Sequence, residues 1–296
     1  MKKSDVVIIG AGLFGSMTAR YFRMRGLSAY VIDNKDIMAA SKCSFGVWKD
    51  TWVNAVIHGE VQNGTELLQK IAGIEEIDVY NLNKSCVDKF KRADCSKILL
   101  DFDRDDDVEM GVVERIEART VFYRTSKGEK SITARKAVIV AAGSWTPNVL
   151  ALARDVDPET VPRLDNLYGA VLNISSRHLD GHKIKDWAPY RQSVLVQDTA
   201  TNYMFGDGAT VKNPKMDDER VLRLQKRCIE HLKDITGDKK FTVQDIKEGF
   251  RPYLQKGSPS FINQHSEYLW SATGGAKNST ILCGHIALQL HYEIQG

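Results

Sequence analysis

The sequence predicts a mixed α/β protein, in which a domain built on a parallel sheet is interleaved with one built on an antiparallel sheet. Three observations predict it. A strand, a glycine turn, a helix and a second strand follow one another within residues 5–33, the size of a βαβ unit. Residues 108–133 and 167–211 carry the short alternating runs and turn residues of antiparallel strands. No low-complexity linker or internal repeat separates these regions, so the chain weaves between the two domains more than once. The division that follows gives residues 1–46, 105–165 and 245–296 to the first domain and 47–104 and 166–244 to the second.

The bulk numbers agree. A chain of 296 residues suits two domains and can bury a core without disulfides or metals. Apolar residues make up 43% and charged residues 27%, ordinary for a globular protein. The 41 basic and 38 acidic side chains leave a net charge of +3, which permits an anionic substrate without indicating nucleic acid. Five cysteines, Cys43, Cys86, Cys95, Cys228 and Cys283, include no CxxC pair, which argues against a disulfide framework and a zinc site and fits a cytoplasmic enzyme. The seven histidines show no metal-ligand spacing, so no metal is expected. Lys2 and Lys3 precede an apolar run as in a signal peptide, but Asp5 interrupts it and glycines at motif spacing replace a cleavage site. No stretch is long and apolar enough to cross a membrane.

In chain order, residues 5–9 read as a buried parallel strand. Residues 14–25 read as a helix stopped by Gly26, and residues 29–33 as a second strand. Helical signals gather at 66–71, and 104–107 form a charged turn. Residues 108–125 and 131–133 read as antiparallel strands about the Lys127-Gly128 turn, followed by a separate apolar run at 137–141. Gly206-Asp207-Gly208 reads as a hairpin turn. Residues 217–235 form a charged helix with Val221, Leu224, Cys228 and Leu232 on one face. Gly249 to Pro252 opens the last segment, and 281–292 reads as a strand leading into a helix.

The chemistry-bearing motif is Gly10-Ala11-Gly12-Leu13-Phe14-Gly15. Gly10 permits the tight turn, Gly12 lets the backbone approach a pyrophosphate, and Gly15 allows helix to pack on strand. The free N–H groups of the helix then face the phosphates. Asp33, followed by Asn34, ends the next strand about 20 residues on, where an acid accepts ribose hydroxyls. The motif does not separate NAD from FAD. No second GxGxxG and no GxSxG elbow occur.

Further segments carry a resemblance. They are Ala40-Ser41-Lys42-Cys43-Ser44-Phe45-Gly46, Gly111-Val112-Val113, the run Val138 to Trp145 that holds Ala142 and Gly143, Gly249-Phe250-Arg251-Pro252, and Gly274-Gly275-Ala276-Lys277-Asn278-Ser279-Thr280. Read alone, the first is equally a serine-rich turn, and Arg251 is equally a surface arginine before a proline turn. Together they resemble the FAD-dependent amine oxidase family that includes D-amino-acid oxidase, glycine oxidase and sarcosine oxidase.

The resemblance implies a Rossmann-like FAD-binding domain beside an antiparallel-sheet substrate domain. It implies that Ser41, Ser44 and Phe45 wrap the pyrophosphate, that Val113 holds the adenine, and that Ala142, Gly143 and Trp145 lie against the cofactor. Gly274, Gly275, Lys277, Asn278, Ser279 and Thr280 would line the flavin pyrimidine ring. Arg251 would grip the carboxylate of a small amine or amino acid, and Lys277 would place positive charge near the flavin. Oxygen would be the electron acceptor. Departures are Asp33 where the family carries Glu, and Gly275 and Lys277 where a bulkier residue and Arg are common. Tyr253-Leu254-Gln255-Lys256 lacks the cysteine that attaches flavin in sarcosine oxidases, so FAD is expected to be non-covalent.

Two other readings stay open. One family branch acts on glycine-type modifications of a nucleobase, as in tRNA or the hypermodified thymidines of some phage DNAs, by oxidation or lysis. The short chain and the basic residues Arg220, Arg223, Lys226, Arg227, Lys239 and Lys240 suit such a nucleic-acid partner, or equally a solvated helix face. The other is a flavin-binding protein without turnover.

Overall fold

A computed structural model describes residues 2–36, 38–49, 58–154, 156–188, 191–215, 218–237, 239–258 and 260–296. The strands are β1 (Lys2–Ile9), β2 (Ala29–Asp33), β3 (Val47–Trp48), β4 (Ile74–Asn81), β5 (Cys86–Ala93), β6 (Val108–Met110), β7 (Val112–Glu117), β8 (Thr120–Thr125), β9 (Gly128–Val140), β10 (Leu164–Ser175), β11 (His182–Ala188), β12 (Arg191–Gln197), β13 (Asn202–Gly206), β14 (Val211–Lys212), β15 (Thr242–Leu254), β16 (Ile262–Gln264) and β17 (Leu269–Ala272). The helices are α1 (Leu13–Met24), α2 (His58–Ala72), α3 (Cys95–Ile98), α4 (Thr146–Leu150), α5 (Glu219–Thr236) and α6 (Ser279–Gln295).

Two sheets result, as the mixed α/β reading requires. The first has the order β16-β17-β9-β1-β2-β6, with β7 and β8 continuing from β9. Its centre is parallel: β1 pairs with β2 and β9, and β9 with β17. Val6 to Ile9 are buried because both faces of a central parallel strand are covered. One face packs Val6 and Ile8 against α1, α2 and α6, and the other packs Val7 and Ile9 against Val121, Ile132 and Leu150. The second sheet has the order β14-β10-β13-β12-β11-β4-β5-β3, with β15 laid along β10. Helix α5 covers it, burying Leu224, Cys228, Leu232 and Ile235, and its last three meet Leu172, Leu195, Tyr203 and Phe205.

Four local readings are corrected. The stretches at 131–133 and 137–141 belong to one 13-residue strand, β9, whose start is antiparallel to β8 and whose end is parallel to β1. Gly206-Asp207-Gly208 is no hairpin turn. β13 and β14 both pair with β10 on the same side, at 172–175 and 167–168, so residues 207–210 are a bulge in one interrupted strand. Gly249 to Pro252 lies inside β15, not at the start of a segment. Residues 281–292 are helical throughout, and the strand before them is β17.

Helices α2 and α6 cross backbone to backbone at Gly64 and Gly284. A Cβ at Gly284 would lie 2.2 Å from the Gly64 carbonyl oxygen. Gly284→Ala is therefore expected to destabilise the fold by about 3 kcal/mol, the cost of overpacking against backbone that cannot yield. Thermal unfolding of the holo and apo proteins measures it.

His265 is 8% exposed and sits between the Thr160 and Ser271 hydroxyls at 2.8 Å each. Burial pushes its pKa down to about 4 from the ordinary 6.5. Between those values the unfolded ring binds a proton that the folded ring refuses, so stability falls as pH falls through this window. The loss at the acid end is expected to approach about 3 kcal/mol, and denaturant titrations of wild type and His265→Gln should diverge in wild type's disfavour only below pH 6.5.

Candidate active site

The glycine turn sits where β1 ends, between the ends of β2 and β9. Gly10 has φ +107°, and a Cβ there would lie 2.4 Å from the Ala141 carbonyl oxygen. A Cβ at Gly15 would meet the Gly10 carbonyl oxygen at 1.9 Å, so helix α1 packs against the turn only because that residue is bare. Gly12 differs. Its φ is −69°, and its missing Cβ would meet only Ser41 Oγ, at 3.0 Å. No side chain caps α1 at Gly12, and Leu13 donates to the Ser41 hydroxyl at 3.0 Å.

Asp33 does more than the sequence suggests. Its carboxylate accepts from the Ala11 N–H at 2.7 Å and from the Lys35 N–H at 2.6 Å. It ties the glycine turn to the end of β2, and each oxygen keeps a lone pair for a further donor.

A cavity of about 530 Å³ opens over this turn. Gly10, Gly12, Leu13 and Phe14 line it, with Asp33 and Asn34 beside them. Ser41, Ser44 and Phe45 form its lip, and Val113, Ala142, Gly143 and Trp145 another wall. The start of α6 contributes Asn278, Ser279 and Thr280. α6, like α1, begins without a hydrogen bond from its capping side chain and without an acidic residue in its first turn. Ser44 Oγ and Thr280 Oγ1, 2.9 Å apart, join the loop to α6.

Gly15, Gly274 and Gly275 lie behind the wall. At Gly274 (φ +89°) a Cβ would collide with Leu254, and at Gly275 with Phe14 and Ser279. Lys277 falls in the short turn before α6, and its side chain lies outside the described residues. The cavity also takes in residues that no cofactor motif marked: Trp48, Gln192, Val194 and the bulge glycines Gly206 and Gly208. Only their place in the second sheet brings them here.

That sheet supplies Arg251, from β15, to the same cavity. Its guanidinium lies across β10, where a Cβ on Gly169 would be 3.1 Å from Nη2 and 3.2 Å from Cζ. Phe250 beside it meets Trp145 edge to face, with centroids 6.2 Å apart. Among the described residues the Arg251 side chain donates no hydrogen bond and forms no ion pair. Burial lowers its pKa, opposed by the nearby Cys43 and Asp207. A half-buried guanidinium without a partner among the described residues is costly, and an entering carboxylate would relieve that cost.

The group that fits the turn is a dinucleotide. A bare Gly12 at an uncapped helix start accepts a close pyrophosphate, and the Asp33 lone pairs accept ribose hydroxyls. The fold and this cradle define a dinucleotide-binding protein of the two-sheet type. The DAO profile, described as FAD dependent oxidoreductase, matches residues 107–290, and the chain belongs to that family. It is an FAD-dependent oxidoreductase.

Among solved structures the chain is similar to iminodiacetate oxidase from Chelativorans sp. BNC1, at 15% identity and a TM-score of 0.73, covering 98% of this chain and 95% of that one. Glycine oxidase from Bacillus cereus ATCC 14579 aligns at 18% identity and a TM-score of 0.65, covering 99% and 95%. Glycine oxidase from Geobacillus kaustophilus gives 12% and 0.69, covering 100% and 95%. These likenesses establish the fold. A comparison with curated protein sequences gave no match. Among the described residues no helix is long and apolar enough to cross a membrane, and no cluster of three metal-ligating side chains occurs.

Proposed function

We propose that the protein oxidises the C–N bond of a small amine or amino acid, glycine- or sarcosine-like, to an imine that water hydrolyses to a keto acid or glyoxylate, with O2 reduced to H2O2. The observation that carries this reading is the Arg251 guanidinium, unpaired among the described residues, in the cavity that continues from the dinucleotide cradle. Bound FAD supplies the two-electron acceptor. Arg251 binds and orients the substrate carboxylate through two parallel bonds. Phe45, Trp48, Val194 and Phe250 make the surrounding wall apolar and keep water from competing for that bond. The cavity's carboxylates, Asp33 and Asp36, belong to the β2 end, so we assign no side chain as base. The amine enters neutral.

The structural relatives include a glycine oxidase and an iminodiacetate oxidase, whose names fit a small amino-acid-like substrate. The basic residues that would suit nucleic acid are largely paired. Arg220 pairs with Asp218, Arg223 with Glu219, Arg227 with Asp207 and Lys239 with Asp180. This favours the small substrate over a modified base. Gly10, Gly12, Asp33, Ser41 and Ser44 would hold the cofactor, with Trp145 and the start of α6 at its reactive end. The two-domain division would follow the two sheets, with β15 in the second.

The purified protein is expected to be yellow and to release FAD on acid precipitation, since attachment is non-covalent. Colourless protein that FAD does not reconstitute would overturn the cofactor assignment. Anaerobic bleaching by glycine, N-methylglycine or another amino acid, with peroxide formed on readmitting oxygen, supports the reaction. Bleaching only by glycine-bearing nucleosides would replace it.

A further inference from the structure

The sheet surface beside Arg251 is bare, and a polar side chain stands at its far edge. Strand alternation fixes which residues face the cavity. Leu172, Leu195 and Phe205 pack beneath α5, as do Tyr168 and Ala170. Gly169, Val194 and Gly206, of opposite parity on the same strands, face the cavity. Val194 accordingly packs with Phe45, and a Cβ on Gly206 would lie 2.9 Å from Phe45 Cζ. Gln192 has the parity of Val194, with no register shift between them, and Asp186 opposite it has the parity of Ile184. The Gln192 side chain therefore stands on the cavity face, and the residue lines the cavity.

Its place relative to Arg251 follows from the register. Val194 lies opposite Gly206, and the pairing of Leu172 with Phe205 brings Val171 level with both. Two residues along, Gln192 is level with Gly169, over which the Arg251 guanidinium lies. Only the bulge stands between them, and it presents Gly208, without a side chain, to the cavity. Two strand spacings separate β12 from β10, about 10 Å. Gln192 Nε2 donates to Asp186 Oδ1 at 2.6 Å. A carboxylate only accepts, so this bond fixes which way the amide is turned. Among the described residues Gln192 Oε1 accepts no hydrogen bond. The result is a trough with a carboxylate anchor at one end, a fixed acceptor at the other and a glycine between.

We propose that Gln192 determines specificity: with the substrate carboxylate on Arg251, Gln192 Oε1 accepts a hydrogen bond from a hydroxyl or N–H group at the substrate's far end. This rests on the reading of Arg251 as the carboxylate anchor. It narrows the substrate class to amino acids or N-substituted glycines whose side chain or N-substituent ends in a hydrogen-bond donor. The bare backbone at Gly208 leaves room for that chain to cross. An apolar chain of the same length leaves Oε1 desolvated and unpaired, which a site built on a polar contact rejects. A second carboxylate in that place meets only acceptors, Oε1 with Asp186 behind it, and is repelled.

The test uses the FAD-loaded enzyme with 5-hydroxypentanoate and hexanoate, acids of equal length that differ only in a terminal hydroxyl or methyl. Neither has an amine, so neither is oxidised, and Kd is read from the change in visible FAD absorption. The quantity compared is the preference for the hydroxy acid, Kd for hexanoate over Kd for 5-hydroxypentanoate. Gln192→Leu is expected to lower that preference roughly tenfold, the scale of one neutral hydrogen bond. A general loosening of the site would weaken both acids alike and leave the ratio as in wild type. An unchanged ratio therefore overturns the proposal. Should Gln192→Leu not fold, Gln192→Met, unbranched and of similar length, is read in the same way. Arg251→Ala separates the two levels. If it leaves the binding of both acids unchanged, the anchor reading itself fails. If it weakens both while Gln192→Leu leaves their ratio unchanged, only the present inference fails.

Discussion

Arg251→Ala is expected to raise KM for carboxylate substrates by about 30- to 100-fold, equivalent to the ~2–3 kcal/mol of a charge-assisted pair, while FAD stays bound. Among the described residues its side chain has no structural partner to lose. Its guanidinium lies over the bare backbone of Gly169 and makes no ion pair among the described residues. Truncation removes a half-buried charge that the empty enzyme must accommodate, so the free protein should be as stable as wild type or more so. Arg251→Lys keeps the charge but loses the planar fork, and should recover only part of the affinity. An amine lacking a carboxylate should be indifferent to all three side chains. Equal KM values for wild type and Arg251→Ala with a carboxylate substrate would remove Arg251 from the site. A large fall in thermal stability would show that the guanidinium is structural instead.

The parts of this site that were legible in the sequence are those where backbone geometry leaves one residue type. Gly10 and Gly15 are such positions, because any side chain there meets backbone. Asp33 was legible as an acid at the right distance, but not its hold on the Ala11 N–H, which depends on how the turn folds back on β2. Strand β9 was misread because its environment changes along its length. Lys130, Arg135 and Lys136 face solvent near the sheet edge, whereas Val138, Ile139 and Val140 are buried on both faces. One strand thus shows two periodicities. Pro252 suggested a turn after Arg251, yet it lies in β15, on the edge away from β10 that carries isolated bridges at Phe250 and Tyr253 rather than a continuous ladder, where a missing N–H is tolerated. Gly206-Asp207-Gly208 looked like a turn because glycines serve bulges and turns alike. Gln192 and Val194 carry no local signal at all, and only the neighbouring bulge brings them to the cavity.

The glycine turn offers a second large effect, because two of its glycines should fail in opposite ways. Gly10→Ala forces a side chain onto φ +107° and against the Ala141 carbonyl at 2.4 Å. Strain at such a φ costs about 1–3 kcal/mol and overpacking a similar amount, so the apo protein itself should lose stability. Gly12→Ala meets neither obstacle. Its φ of −69° suits any residue, and the new methyl touches only the Ser41 hydroxyl. The apo protein should therefore unfold within a few degrees of wild type. A pyrophosphate approaching the α1 N-terminus would instead meet the methyl, and FAD affinity should fall by about a hundredfold or more, as a loss of close backbone contacts implies. Differential scanning of the apo proteins and FAD titration by flavin fluorescence separate the two. If Gly12→Ala binds FAD like wild type, the pyrophosphate does not lie over that residue. If both variants lose stability alike, Gly12 is bare for packing and not for the cofactor.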